Sequence, residues 1–273
     1  MVGSAAMRLV TWNVNSIVAR LDFVLDYLAT RTPDVVCVQE LKVDDDAFPQ
    51  LAFAQAGYVG LTHGQLQWNG VAVLVKKSFD PAPRILTRGL PGAENLGARL
   101  VTASVAGISI TSVYIPNGKS VSHADFRSKL AFLDALVAYA RTLDVKERVV
   151  IAGDFNLVPA DIDSWAGAAL TGTIFHTEAE RSRLAALCDV GFVDLYRAKY
   201  PDTTAYSWWD YRAGSFHKKQ GLRIDLLLGT PSVATLVTEA RVERDFRKKR
   251  EGRIPSDHAP VEIELADAPG SGA

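Results

Sequence analysis

The 273 residues suffice for one large domain or two small ones, and a 48% hydrophobic share lets them bury a substantial core. No apolar run approaches a membrane span, the opening MVGSAAMRLV lacks the apolar stretch of a signal peptide, and two cysteines, Cys37 and Cys188, are too few for a disulfide framework, so membrane-spanning and secreted classes are not expected and a reducing compartment is. A net charge of −1 argues neither for nor against a nucleic-acid partner.

Residues 1–6 read as an unstructured leader, 7–266 as one domain and 267–273 as an unstructured tail. In chain order, strand-like apolar runs fall at 9–12, 35–38, 71–75, 100–105, 108–115, 149–152, 224–228 and 261–265. Helical periodicity is clearest at 21–29, 124–141 and 179–188. The pair of runs around Ala106-Gly107 reads as a hairpin. Strands that alternate with helices and then cluster in hairpins predict α/β layers with mixed sheets.

Polar residues stand where these strands end. Asn13 and Asn15 follow the first run, and Glu40 follows the second, in VVCVQE. Tyr114 and Asn117 close the hairpin in SVYIPNG, Asp154 and Asn156 follow VVIAG, Asp225 opens IDLLL, and Asp257-His258 precede APVEIEL. Any one of these could be a turn or a cap. Together they are strained as turns, since Glu and Tyr are poor turn residues, and a layered fold can gather them around one cleft.

Glu40 and Asp257, with the amides of Asn13 and Asn15, are hard oxygen donors suited to Mg²⁺ or Mn²⁺ rather than zinc. His258 with Asp225 can form an imidazole oriented and kept cationic by a carboxylate, able to stabilise charge on a phosphate. Asp154 can align or deprotonate a water, and on chemistry alone His258 qualifies as well. Tyr114, Asn117 and Asn156 can donate to phosphate oxygens. With no serine-nucleophile, Walker, dinucleotide or zinc-protease signature in the chain, metal-assisted attack of water on a phosphate ester accounts for most residues with fewest assumptions.

The motifs TWNVNSIVAR, PDVVCVQELKV, WNGVAVLVK, VYIPNGKSV, GDFNLVPADIDSW, YSWWDYRAGSF, GLRIDLLL and PSDHAPV run through nearly the whole chain. In them the sequence resembles the exonuclease III branch of abasic-site endonucleases, within the endonuclease/exonuclease/phosphatase superfamily. GDFN and SDHAP mark only the superfamily; DIDSW and WWDYR…RID are more specific to the DNA-repair branch. The resemblance implies a four-layer α/β sandwich, two packed mixed sheets flanked by helices. It implies hydrolysis of the phosphodiester 5′ to an abasic site, leaving a 3′-hydroxyl and a 5′-deoxyribose phosphate, with accompanying 3′→5′ exonuclease or 3′-end-cleaning activity.

By the same resemblance Glu40 is the principal metal ligand, with Asn13, Asn15 and Asp257 around the same Mg²⁺ or a substituting Mn²⁺. Asp154 positions or activates water, Asn156 holds the phosphate or the leaving oxygen, Tyr114 and Asn117 contact phosphate, and Asp225–His258 form the carboxylate–imidazole dyad. The strand before them is expected to stop at Gly153. Trp208, Leu222 and Ile224 would line a pocket for a sugar without a base, with Trp209 equally readable as core. Arg212, His217, Lys218 and Lys219, and the basic run 241–253 with Lys248 and Arg250, could face the DNA backbone or simply be solvated loop. Lys42 and Asp44–Asp46 read as surface; His63, His123 and His176 as exposed or structural; Gln67–Asn69 as close to DNA. Partners would be duplex DNA with abasic sites or blocked 3′ ends, the protein a monomer in a bacterial cytoplasm near the nucleoid. The competing readings are another phosphoesterase of the superfamily, or a DNA-binding protein that has lost catalysis.

Overall fold

The computed structural model describes residues 7–250 and 252–266; the expected leader and tail lie outside the described residues. The chain begins with β1 (Met7–Asn13), α1 (Leu21–Arg31), β2 (Val35–Gln39), α2 (Gln50–Gln55), β3 (Tyr58–His63) and β4 (Val71–Lys76). It continues through β5 (Arg84–Arg88), β6 (Leu100–Val105), β7 (Ile108–Tyr114), α3 (Ala124–Ala140) and β8 (Val149–Asp154). The last third holds α4 (Glu178–Val190), β9 (Val193–Asp194), α5 (Leu195–Lys199), β10 (Asp225–Gly229), α6 (Pro231–Ala234), β11 (Val237–Val242) and β12 (Val261–Leu265).

The strands form two six-stranded sheets, ordered β11-β12-β1-β2-β4-β3 and β5-β6-β7-β8-β10-β9. Each is mixed, with a single parallel pair, β1 with β2 and β7 with β8, among antiparallel neighbours.

Period-two alternation makes this a sandwich. Val71, Val73 and Val75 of β4 point inward with Leu9, Val35 and Cys37, meeting Val101, Ile110, Val150 and Leu227 of the other sheet. Ala72 and Leu74, with Val10, Trp12, Val36 and Val38, point outward under α1 and α2. On the opposite outer face Val113, Ile151, Leu226 and Leu228 pack under α3 and α4. The four layers are therefore helix, sheet, sheet, helix. The β6–β7 hairpin turns where expected: Ala106 and Gly107 both have positive φ, 48° and 77°, the backbone of a tight primed turn.

One expectation fails at the point that matters most. The strand does not stop at Gly153 but runs on to Asp154, which pairs with Tyr114 of β7 and Asp225 of β10. Gly153 sits inside a ladder because any Cβ there would be driven into the carbonyl oxygen of Val113. The glycine allows close strand approach rather than ending the strand.

A strand-end cluster of carboxylates, amides and an imidazole

In the second sheet Tyr114, Asp154 and Asp225 share one register row at the ends of β7, β8 and β10. In the first sheet Asn13 ends β1 beside Gln39 of β2, and Glu40 follows one residue on. Asp257 and His258 lie on the segment entering β12, anchored where Ser256 Oγ donates to the Asn13 carbonyl at 2.7 Å and Trp12 Nε1 to the His258 carbonyl at 3.1 Å. The lip of the sandwich thus gathers every catalytic and metal-binding candidate from strands far apart in sequence.

The side chains form one network. Asn13 Nδ2 donates to Glu40 Oε1 at 2.8 Å and to Asp154 Oδ2 at 2.9 Å. Asn15 Nδ2 donates to Asp257 Oδ1 at 3.1 Å, and Trp208 Nε1 to Asp257 Oδ2 at 3.0 Å. Asp154 Oδ1 accepts from the Asn156 backbone N–H at 2.9 Å, and Oδ2 from Asn156 Nδ2 at 3.2 Å. Asn117 Nδ2 donates to Asn156 Oδ1 at 3.2 Å. His258 Nδ1 lies 2.9 Å and 3.1 Å from the two oxygens of Asp225, with Nε2 3.8 Å from Asp154 Oδ2. Asn15, Ser16, Glu40, Lys42 and Asn156 all have φ between 49° and 87°, a concentration of left-handed backbone that only a tightly determined site sustains.

Electrostatics divides the two proton-handling groups. Burial raises the Asp154 carboxyl, against His258 and with Asp225 and Glu40, to about 7. Burial alone would lower His258, but Asp225 and Asp154 outweigh it and push the ring up to about 10. His258 is therefore a cation at neutral pH. Burial, then Glu40 and Asp154, push the Tyr114 phenol up, so it stays a donor.

Two groups could hold a divalent ion. Oxygens of Asp154 and Asp225 and a ring nitrogen of His258 all lie within 4.8 Å of one another, but there a cationic imidazolium already faces both carboxylates and would repel a second cation. The set of Glu40, Asp257, Asn13 and Asn15 offers hard oxygens, as Mg²⁺ or Mn²⁺ requires. The Lys42 ammonium lies against two of them, 2.8 Å from Glu40 Oε2 and 2.6 Å from Asn15 Oδ1, so those two oxygens already meet at one positive charge. Lys42 is thus not an outward surface residue as expected; the left-handed turn after β2 folds it into the cleft, and a bare ELK offers no sign of that.

The sugar-pocket candidates also come together. Leu222 and Ile224 form a cluster with Val158, against which Trp208 and Phe175 pack, the two rings edge to face at 6.4 Å. Leu222 and Ile224 are only 4% and 1% exposed. Trp209 is core, buried and edge-on to Phe216. Of Gln67–Asn69, Trp68 and Asn69 line a cleft of about 630 Å³ with Glu40, Tyr114 and Asn117, Trp68 being exposed. Of the histidines outside the cluster, His63 bonds the Leu100 carbonyl, His123 caps α3 and His176 is buried against Ser164, while His217 is exposed next to Lys218 and Lys219.

The basic candidates differ among themselves. Lys218 and Lys219 are exposed. Arg212 is exposed but folded back on Asp210, Lys248 pairs with Asp245, and Arg250 lies over the Phe246 ring and pairs with Asp26 of α1. Sequence reasoning missed the support beneath the branch-specific motifs. Asp163 of DIDSW and Arg223 of GLRID, both buried, bond at 2.6 Å, and Arg223 also reaches Asp194 at 2.8 Å. Opposite charges within two marked motifs are a signal that could have paired them.

The chain belongs to the endonuclease/exonuclease/phosphatase family, which it matches over residues 10–258. It is 31% identical over 273 residues to exodeoxyribonuclease III of Haemophilus influenzae, covering 95% of this chain and 100% of that one. Among solved structures it resembles a Neisseria 3′ phosphatase bound to product DNA hairpin, at 34% identity and a TM-score of 0.89, over 95% and 99% of the two chains. It equally resembles an AP endonuclease from Archaeoglobus fulgidus, at 30% identity and a TM-score of 0.89, over 96% and 100%.

Proposed function

We propose that this chain is an exonuclease III-type DNA-repair hydrolase that cuts the phosphodiester 5′ to abasic sites in duplex DNA and also processes 3′ ends, acting as a monomer in a bacterial cytoplasm. One observation carries the reading. Asp154 is clamped between Asn13 and Asn156 at the sheet lip, with the Nε2 of an Asp225-locked His258 facing it 3.8 Å away. That is a carboxylate acceptor and a cationic donor on either side of one reacting position.

Glu40, with Asn13, Asn15 and Asp257, would hold Mg²⁺, or Mn²⁺ in its place, which when bound supplies charge neutralisation at the phosphate and a more acidic water. The protein's own groups do the rest. Asp225 fixes the imidazole through Nδ1, leaving the Nε2 proton to a phosphate oxygen. Asp154 accepts the proton of the attacking water, the role its raised, acceptor-side position suits. Tyr114 and Asn117 donate to the remaining phosphate oxygens, as Asn156 would on exchanging its Nδ2 bond to Asp154 for one of them. Trp208 joins the chemistry to substrate choice, since its indole N–H is bonded to Asp257 while its ring walls the Leu222–Ile224 cluster. Such a pocket admits a sugar without a base and refuses a full nucleotide, whose extrusion also costs stacking energy.

The second reading puts 3′-end processing first. It is favoured by the nearly complete burial of Leu222 and Ile224, over which Trp208 and Phe175 already pack. One experiment weighs the two. Labelled duplexes carrying an abasic analogue, a 3′-phosphate or neither would be incubated with Mg²⁺ or EDTA. A Mg²⁺-dependent cut 5′ to the abasic site, absent from intact duplex, is the expected result. Release of 3′-phosphate without that cut would promote the second reading. Binding without any cleavage would leave a DNA-binding protein and remove the catalytic assignments.

A further inference from the structure

Behind the phosphate-facing loops lies a charged pair that none of the steps above uses. Lys129 of α3 and Glu180 of α4 are ion-paired with both side chains fully buried. The Lys129 ammonium has three protons to give, and the structure offers three acceptors: Glu180 Oε1, the Asn156 carbonyl and, at 3.3 Å, the Asn117 carbonyl. Glu180 in turn accepts from the backbone N–H of Phe175 at 3.1 Å, and from the N–H and hydroxyl of Thr177 at 3.0 Å and 2.7 Å. The ammonium lies 4.8 Å over the Phe175 ring, whose other neighbour is Trp208. Asn156 and Phe175 both hold left-handed backbone, at φ 49° and 71°.

Helix packing alone does not call for this arrangement. Removing two charges from water is costly, and apolar side chains of similar volume commonly serve stability as well or better. What apolar side chains cannot do is donate to two carbonyls on two different loops at once. Those carbonyls belong to the two residues whose side-chain amides bond each other. We infer that Lys129 is the positioning residue for hydrolysis. It sets the Asn117–Asn156 amide pair against the phosphate and, through Glu180, holds Phe175 against Trp208. The inference rests on the proposed function in taking those two amides as phosphate donors.

The test is the pair Lys129→Met/Glu180→Gln, which removes both charges and roughly keeps side-chain volume. Turnover per folded molecule, with the folded fraction taken from thermal melts, would be measured on the abasic and 3′-phosphate duplexes. A kcat fall of about ten- to a hundred-fold is expected, the scale of misplacing a catalytic group by about an ångström. DNA affinity and half-saturating Mg²⁺ should stay within about two-fold, because nothing that binds them has been removed. Placed in an Asn117→Ala/Asn156→Ala background, the same pair should cost clearly less than in the wild type, since the part of its effect that runs through those amides is already gone.

An unchanged kcat, or a loss that multiplies in full on top of the amide loss, would overturn the inference. Should the double variant not fold, Glu180→Gln alone is expected to give the same pattern more weakly, and its full activity would count equally against it. If the wild type cleaves no duplex, the proposed function is what has failed. The side-chain amide resonances of Asn117 and Asn156 then decide for Lys129: displaced or doubled signals in the variant support it, and unmoved ones reject it.

Discussion

Asp154 is held from three directions: by Asn13 from the other sheet, by Asn156 two residues on, and by the ladder that aligns it with Tyr114 and Asp225. Asp154→Asn keeps the shape and loses the acceptor. Turnover should fall by about two or more orders of magnitude, as loss of a general base does, while DNA affinity is kept. Single-turnover cleavage beside a binding titration checks both, and near-normal turnover would remove the role. Glu40→Ala should instead raise the Mg²⁺ concentration for half activity; an unchanged metal titration would take Glu40 out of the ligand set. Every residue in these arguments was legible as a polar side chain at a strand end. Lys42, Lys129 and Glu180 were not. Lys42 is brought in by a left-handed turn, and a buried lysine on a helix has the same letter as an exposed one.

The elements show a sharper division. The eight strand runs read from the sequence are interior strands, and the four that escaped, β3, β5, β9 and β11, are the four edges of the two sheets. The reason is physical. An edge strand has a neighbour on one side only, so it carries polar and charged residues or stays short; β5 reads RILTR with alternate residues exposed, and β9 is two residues long. The missed helices, α2, α5 and α6, span six, five and four residues, too few to establish a helical period. Gly153 belongs to this scale as well. Gly153→Ala forces β8 away from β7 at the Val113–Gly153 rung, next to the one that aligns Tyr114 with Asp154. Overpacking of this kind costs about 1–3 kcal/mol, or a Tm fall of roughly 2–4 °C per kcal/mol in a protein of this size. The activity loss should exceed what the melting curve explains; parallel wild-type values of Tm and kcat would show the glycine to be dispensable.

For the whole molecule, a net charge of −1 means that attraction to DNA depends on where charges stand rather than on their sum. From the sequence the basic run 241–253 can be either a phosphate-facing edge or a solvated loop, and the structure divides it. Arg241 pairs with Glu264, Lys248 with Asp245 and Arg250 with Asp26, so much of its charge is spoken for within the fold. Lys218 and Lys219 stand exposed on the segment between Trp209 and Leu222. Each phosphate neutralised on binding contributes about −0.9 to the slope of log K against log salt, through release of condensed counterions. Lys218→Ala/Lys219→Ala should therefore flatten that slope by about one per lysine and weaken binding to abasic and intact duplex alike. Lys248→Ala/Arg250→Ala should flatten it less, because those cations already hold carboxylate partners. Binding isotherms over a range of salt for the two double variants give the comparison directly. A larger change from the second pair would put the DNA over the α1 side of the cleft and move the contact surface away from the Trp208 loop.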